Sequence, residues 1–263
     1  MISLFTLTIL AAFYIVAKKA VPRPIYGRFH TAAFLAGCVA VGIALASPLD
    51  ELAESRLSAH MIQHEILMVI AAPLLALGRA HWVILNLLAR RPKNVAAKLF
   101  RFARCNPLTA CILHGVAIWL WHVPTFYQAA LAHPFLHALQ HASFLGTALL
   151  FWWSVLDRSA GYGLAAFYVF GTSLHTGILG ALLFFSPRLW YPIYGLGGAA
   201  LEDQQLAGLI MWIPGGFVLA ATALLLISYW LAETERRITA RERLTLPKLN
   251  SPKDLALAKG GHR

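Results

Sequence analysis

The sequence predicts an all-α polytopic membrane protein: one bundle of seven transmembrane helices, with the N-terminus out and the C-terminus in. Three observations carry this. The chain is 59% hydrophobic with a mean hydropathy of +0.65, above the roughly 45–50% apolar content of soluble domains. Its charged residues amount to only 13% and are gathered into short stretches, as in loops between spans. Basic residues fall almost entirely on one side of a seven-span arrangement.

The apolar segments are residues 2–17, 30–47, 60–78, 106–121, 137–156, 162–185 and 206–230, each near the roughly 20 residues that cross a hydrocarbon core. In the first, the Lys18-Lys19 pair follows the apolar run. A cleaved signal peptide has the opposite order, so this segment reads as a retained span. Segments 106–121 and 137–156 are the weakest candidates for spans, because histidines flank both. Pro73 and Pro214 fall inside segments and are expected to kink or loosen their helices. Gly171, Gly177 and Gly180 permit close helix contact. Trp119, Trp121, Trp152, Trp153, Trp190 and Tyr191 lie at segment ends and read as interfacial belts.

Orientation follows from charge. Lys18, Lys19, Arg23 and Arg28 follow the first segment; seven basic residues from Arg79 to Arg104 follow the third; Arg158 follows the fifth; eight from Arg236 to Arg263 form the tail. Only Arg56 and Arg188 fall on the other side. The organisation is a single bundle over 1–235 and a short basic cytoplasmic tail over 236–263. The loop at 79–105 reads either as a basic loop or as an amphipathic surface helix. The net charge of +11 is thus a topology signal rather than a nucleic-acid surface. Cys38, Cys105 and Cys111 form no CxxC pair and number three, which argues against both a disulfide framework and a thiolate metal site.

The chemistry lies in the histidines. His60 and His64, and again His137 and His141, are four apart, so each pair shares a helix face. In the predicted topology His60, His122 and His137 sit at the outer rim, with His64 and His141 one turn deeper. His114 lies about 12 Å below His122, and His175 lies in the middle to outer half of its segment. Such a gathering of imidazoles in apolar helices points to a bound metal or metalloporphyrin, with a polar network or proton path as the alternative. Met61 adjoins His60 and can add a thioether, though it points about 100° away around the helix. Glu65, His114, His175, Asp203, Gln204 and Met211 are candidate supporting or gating groups. His30 and His81 read as interfacial, and His133 as a loop residue. Neutral imidazole is the ligating form, so binding should weaken as pH falls through about 6.

Several ordered motifs resemble the bacterial cytochrome c oxidase assembly factors of the caa3-type CtaG group. They are Ser47-Pro48-Leu49-Asp50 with Ser58-Ala59-His60-Met61-Ile62-Gln63-His64; Ala72-Pro73-Leu74; Trp121-His122-Val123-Pro124; Leu139-Gln140-His141-Ala142-Ser143-Phe144 with Phe151-Trp152-Trp153; and Asp203-Gln204-Gln205-Leu206-Ala207-Gly208 with Met211-Trp212. The resemblance covers roughly residues 30–235. The chain departs from the family pattern at Gly78-Arg79-Ala80, where a second proline is expected in place of Ala80. The resemblance implies a multi-pass protein of the bacterial inner membrane that helps build haem–copper oxidases. Copper delivery to the catalytic subunit is the implied role. Its partners would be oxidase subunits, a periplasmic copper chaperone and the lipid bilayer, with no nucleic acid.

On this reading His60, His64, His137 and His141 are the leading copper ligands, followed by His122 and Met61. The alternatives are a haem-binding membrane protein with bis-histidine ligation and a metal or proton transporter. A zinc hydrolase would need HExxH; His64-Glu65 is followed by Ile66-Leu67-Met68, so no enzyme activity is assigned.

Overall fold

The computed structural model describes residues 27–79, 107–156 and 161–245. They form α1 (Arg28–Leu45), α2 (Pro48–Ser55), α3 (Leu57–Leu77), α4 (Pro107–His122), α5 (Pro124–Ala132), α6 (Pro134–Leu156) and α7 (Tyr162–Phe185). A 3₁₀ turn at Pro192–Tyr194 leads into α8, which runs as Gly198–Ile210, Met211–Gly215 and Gly216–Thr245. The predicted span 2–17, the loop 79–105 beyond Arg79, Arg158, His81 and the tail past Thr245 lie outside the described residues.

The seven-span expectation is overturned. Among the described residues four helices are long and apolar enough to cross a membrane: α1, α3, α7 and the run Gly198–Arg243. A fifth is reached only if the α4–α5 pair counts as one span, and that pair is bent by 77°. Physical reasons are visible in the helices at fault. α4 has 16 residues, about 24 Å at helical rise, before Val123 turns extended ahead of Pro124. Pro124 disfavours helical backbone at the residue before it, so α5 leaves at an angle instead of lengthening α4. α6 has 23 residues, but His137, Gln140, His141, Ser143 and Thr147 dilute its apolar character. The N-out, C-in assignment was counted along seven crossings and falls with that number.

α3, α6, α4, α7 and α8 pack successively around a shared interior, and α8 closes the ring against the first half of α3. α1 lies outside the ring against the second half of α3. The interior is apolar, built from residues such as Leu57, Met68, Ile118, Phe144, Phe151, Val169, Leu183 and Met211. A separate seam of Phe34, Val41, Ala44 and Leu45 against Leu67, Ala71 and Leu75 joins α1 to α3. α7 shows the division of faces: Ala165, Val169, Thr172, Leu179 and Leu183 are buried, while Phe167, Phe170, Leu174, Ile178 and Leu182 point outward. Large apolar side chains in such a continuous outer stripe suit lipid rather than water.

Close approach explains the α7–α8 contact. A methyl at Gly180 would come within 2.8 Å of Gly208 O, and one at Gly208 within 2.6 Å of Phe184 N. The prolines act locally, as expected. α3 is π-helical over Ile66–Ala71 directly before Pro73, and α8 is π-helical over Met211–Gly215, which contains Pro214. Proline removes a donor and crowds the carbonyl four residues back, and a widened turn relieves that crowding. Trp152 Nε1 donates to Met68 O at 2.8 Å within the first widened turn. The belt expectation fails for Trp121, Trp152, Trp153 and Tyr191, which are all buried in the interior; Trp119 remains exposed.

Candidate metal centre

The end of the ring nearest α2 and α5 holds five imidazoles. His60 and His64 come from α3, His122 from the end of α4, and His137 and His141 from α6. Both i, i+4 pairs face one another. Ring centroids lie 4.4 Å apart in His60–His64 and in His137–His141, and across the helices 5.2 Å for His60–His137, 5.5 Å for His60–His141 and 5.3 Å for His64–His141. His122 stands 6.2 Å from His64, with Phe144 between α4 and α6 packed against both rings. One ring nitrogen each of His60, His137 and His141 lies within 4.8 Å of the others, a group able to hold a metal ion.

Burial sharpens this. His60, His64, His122 and His141 are buried, and His137 is half-buried. The Nε2 atoms of all five, and also Nδ1 of His64, are shielded from solvent and have no hydrogen-bond partner in the protein. A buried polar group left unpaired costs about 1–3 kcal/mol, so native proteins rarely gather several. Six such nitrogens on five neighbouring rings fit a site that something else completes.

The outer nitrogens are held in place. His122 Nδ1 lies 2.7 Å from Ile118 O. A carbonyl only accepts, so Nδ1 carries the proton and Nε2 presents its lone pair. Tyr194 Oη donates to Ala53 O at 3.3 Å and stands 3.0 Å from both Tyr127 Oη and His60 Nδ1. With its single proton given to Ala53, that oxygen accepts from Tyr127 and from His60 Nδ1–H, and His60 Nε2 is left bare. Burial pushes the hydroxyls of Tyr191 and Tyr194 above the ordinary phenol range, so both remain O–H groups near neutral pH. Tyr191 Oη donates to His122 O at 2.7 Å. Partners of this kind on the far side of a ligating ring fix its tautomer and aim.

Asp203 and Gln204 work one step further back. α3 starts at Leu57 without a side-chain cap of its own. Asp203 Oδ2, from α8, accepts from Leu57 N at 2.7 Å and from Ser58 N at 3.3 Å, and so caps the helix that carries His60 and His64. Gln204 Oε1 accepts from Trp190 N at 2.7 Å and Gln204 Nε2 donates to Arg188 O at 3.1 Å. Those bonds hold the segment leading to Tyr191 and Tyr194. A cavity of about 740 Å³ reaches the cluster from the side, lined by His137 and His141 together with Asp50 and Glu54.

The remaining expected residues lie elsewhere. Met61 is fully buried in the apolar interior beside Leu57. His175 is on the α4–α7 side, where its Nδ1 accepts from Trp119 Nε1 at 3.4 Å. Glu65, His114 and Met211 line a separate, deeper cavity that none of the five clustered histidines enters. Tyr127, Tyr194 and Gln140 were not singled out from the sequence. Gln140 is completely buried with neither amide atom partnered, one residue before His141. The tyrosine pair had only a faint signal, two rings more than sixty residues apart, each a few residues after a proline, Tyr127 in α5 and Tyr194 in the 3₁₀ turn.

A family model for the cytochrome c oxidase caa3 assembly factor (Caa3_CtaG) matches residues 10–233. No curated protein and no solved structure matches the chain. The match spans most of the sequence and contains every histidine of the cluster and the ring helices up to residue 233 of α8, so this multi-helix membrane protein belongs to the cytochrome c oxidase caa3 assembly factor family.

Proposed function

We propose that this protein is a non-catalytic assembly factor for haem–copper oxidases. On this reading it takes up a copper ion at the histidine cluster, near the periplasmic face of the inner membrane, and passes it to the oxidase catalytic subunit. The observation that carries the proposal is the convergence of His60, His137 and His141, with ring nitrogens within 4.8 Å of one another and no protein partner for their Nε2 atoms. Imidazole nitrogen suits copper, and the family match supplies the oxidase context.

The chain's own groups divide the work. His60, His137 and His141 form the primary ligand set, and His64 and His122 offer further nitrogens as the ion moves. Tyr194 and Ile118 O keep the ligating nitrogens of His60 and His122 unprotonated. Asp50 and Glu54 line the approach and attract a cation toward His137, the most exposed of the five rings. Asp50 and Glu54 stand near the cluster, whereas Arg236, Arg237, Arg241 and Arg243 lie at the far end of α8. Positive residues favour the cytoplasmic side, which supports a periplasmic position for the cluster. A periplasmic copper chaperone is then the donor and an oxidase subunit the acceptor. Haem suits the geometry poorly, because rings 4.4–5.5 Å apart leave no slot for a macrocycle between them.

The test is copper content. Full-length protein purified in detergent and equilibrated with copper should retain the ion and show no Soret band. His60→Ala, His137→Ala and His141→Ala should each reduce retention and lower oxidase activity in cells. Unchanged copper in all three variants would remove the basis of the proposal.

A further inference from the structure

A second cavity lies deeper in the ring, between α3, α4, α7 and α8. It is small, about 20 Å³ open to the centre of a water-sized sphere, which is room for one ion or one water. Glu65 and Met68 line it from α3, His114 from α4, Thr172 and Thr176 from α7, and Met211 from α8. These are two thioethers, an imidazole, a carboxylate and two hydroxyls inside an otherwise apolar interior.

Four further observations mark it as built. Glu65 Oε2 is shut off from solvent and has no hydrogen-bond partner, and a carboxyl within a span is costly unless paired or facing a ligand. Gly215 makes the room for it: a methyl there would overlap Glu65 Oε2 and come within 3.0 Å of Cδ. His114 is oriented like the cluster histidines. Thr147 Oγ1 gives its proton to Ser143 O at 2.8 Å, so at 3.1 Å it accepts from His114 Nδ1–H and leaves Nε2 with a lone pair. Both π-helical turns also bear on this spot, since Met68 lies in one and Met211 and Gly215 in the other. Such turns are rare, and they gather at functional sites.

The spacing along the chain ties the two levels together. His64 and Met68 are one turn apart on α3, and His122 and His114 are eight residues apart on α4, about 12 Å. Ile118 lies between, its carbonyl holding His122 and its side chain lining the deeper cavity.

We propose that Met68, His114, Met211 and Glu65 form a second cation site that takes cuprous ion. Thioether sulfur favours reduced copper, and imidazole accepts it as well. The carboxylate balances the charge of an ion held away from water. The inference rests on the histidine cluster being the first copper site, and it adds a position along the bundle axis with a different donor chemistry.

The experiment uses full-length protein in detergent, cuprous ion supplied from a chromophoric chelator, and X-ray absorption at the copper edge. Wild type should take two equivalents and show both nitrogen and sulfur scattering. Met68→Leu with Met211→Leu, which keeps volume nearly constant, should reduce uptake to one equivalent and remove the sulfur signal. His60→Ala with His141→Ala should leave one equivalent with sulfur retained. One equivalent in wild type with nitrogen scattering alone overturns the second site and leaves the cluster reading standing. Two equivalents unaffected by the methionine changes also overturn it. A single equivalent in wild type that carries sulfur scattering would instead overturn the cluster reading alone. No uptake at all sinks both.

Discussion

The seam between α1 and α3 and the histidine cluster are neighbours on the same helix, yet they treat polar groups in opposite ways. Along the seam, apolar side chains fill the contact, and two polar side chains bond across it, although Gln63 Oε1 stays unpartnered. Gln63 Nε2 donates to Ala44 O at 2.7 Å and to Asp50 Oδ1 at 2.9 Å, and His30 Nδ1 lies 2.8 Å from Leu77 O at the end of α3. At the cluster, the protein bonds the outer nitrogen of His60 and His122 and leaves the inner one without a partner. The seam is built for cohesion. The cluster leaves buried nitrogens unpaired, at a cost in stability.

That contrast predicts effects of opposite sign. The largest belongs to the seam. Leu67 is fully buried there, and Leu67→Ala should destabilise the fold by about 2–5 kcal/mol, read from unfolding in detergent, with copper per folded molecule unchanged. Next, His64 has both nitrogens buried and unpartnered. His64→Leu should stabilise the copper-free protein by about 1–3 kcal/mol while weakening copper binding. A loss of stability as large as that of Leu67→Ala would erase the distinction between the two regions.

Tyr194→Phe sharpens the comparison. It removes the oxygen that holds His60 Nδ1 and should weaken copper affinity about 10–100-fold without changing stoichiometry, as measured by chelator competition. The smallest effect is expected at Asp203→Ala, which uncaps α3. It should cost about 0.5–2 kcal/mol of stability, with a modest drop in copper affinity because His60 lies within the first turns of that helix. A copper affinity that falls much more than stability would make Asp203 a direct participant in binding.

Much of this site was legible in the chain itself. Spacing of four brings His60 with His64 and His137 with His141 onto single faces, and the structure turns those faces together. α7 was delimited correctly as Tyr162–Phe185 because its long apolar run holds no proline and no charged residue, despite the polar stretch Thr172–Thr176 at its middle. The number of spans was misread in α4 and α6, where polar or proline residues serve the site at the expense of lipid-crossing character. The tyrosine supports were hidden for another reason. Tyr127 and Tyr194 are separated by more than sixty residues, and their pairing depends on how α5 and the turn before α8 fold back over the cluster.

Local order along the chain was enough to determine that the apolar segments among the described residues are helical, which faces carry imidazoles and where proline disturbs the ladder, though it missed the short helices α2 and α5. These are properties of nearest neighbours, set by backbone geometry and the period of the helix. Tertiary packing alone decided that Glu65, His114 and Met211 leave the histidines and meet in a cavity of their own, and that a tyrosine from the turn before α8 selects the tautomer of His60. Those outcomes depend on the angle and depth at which distant helices cross, and one-dimensional periodicity does not encode either.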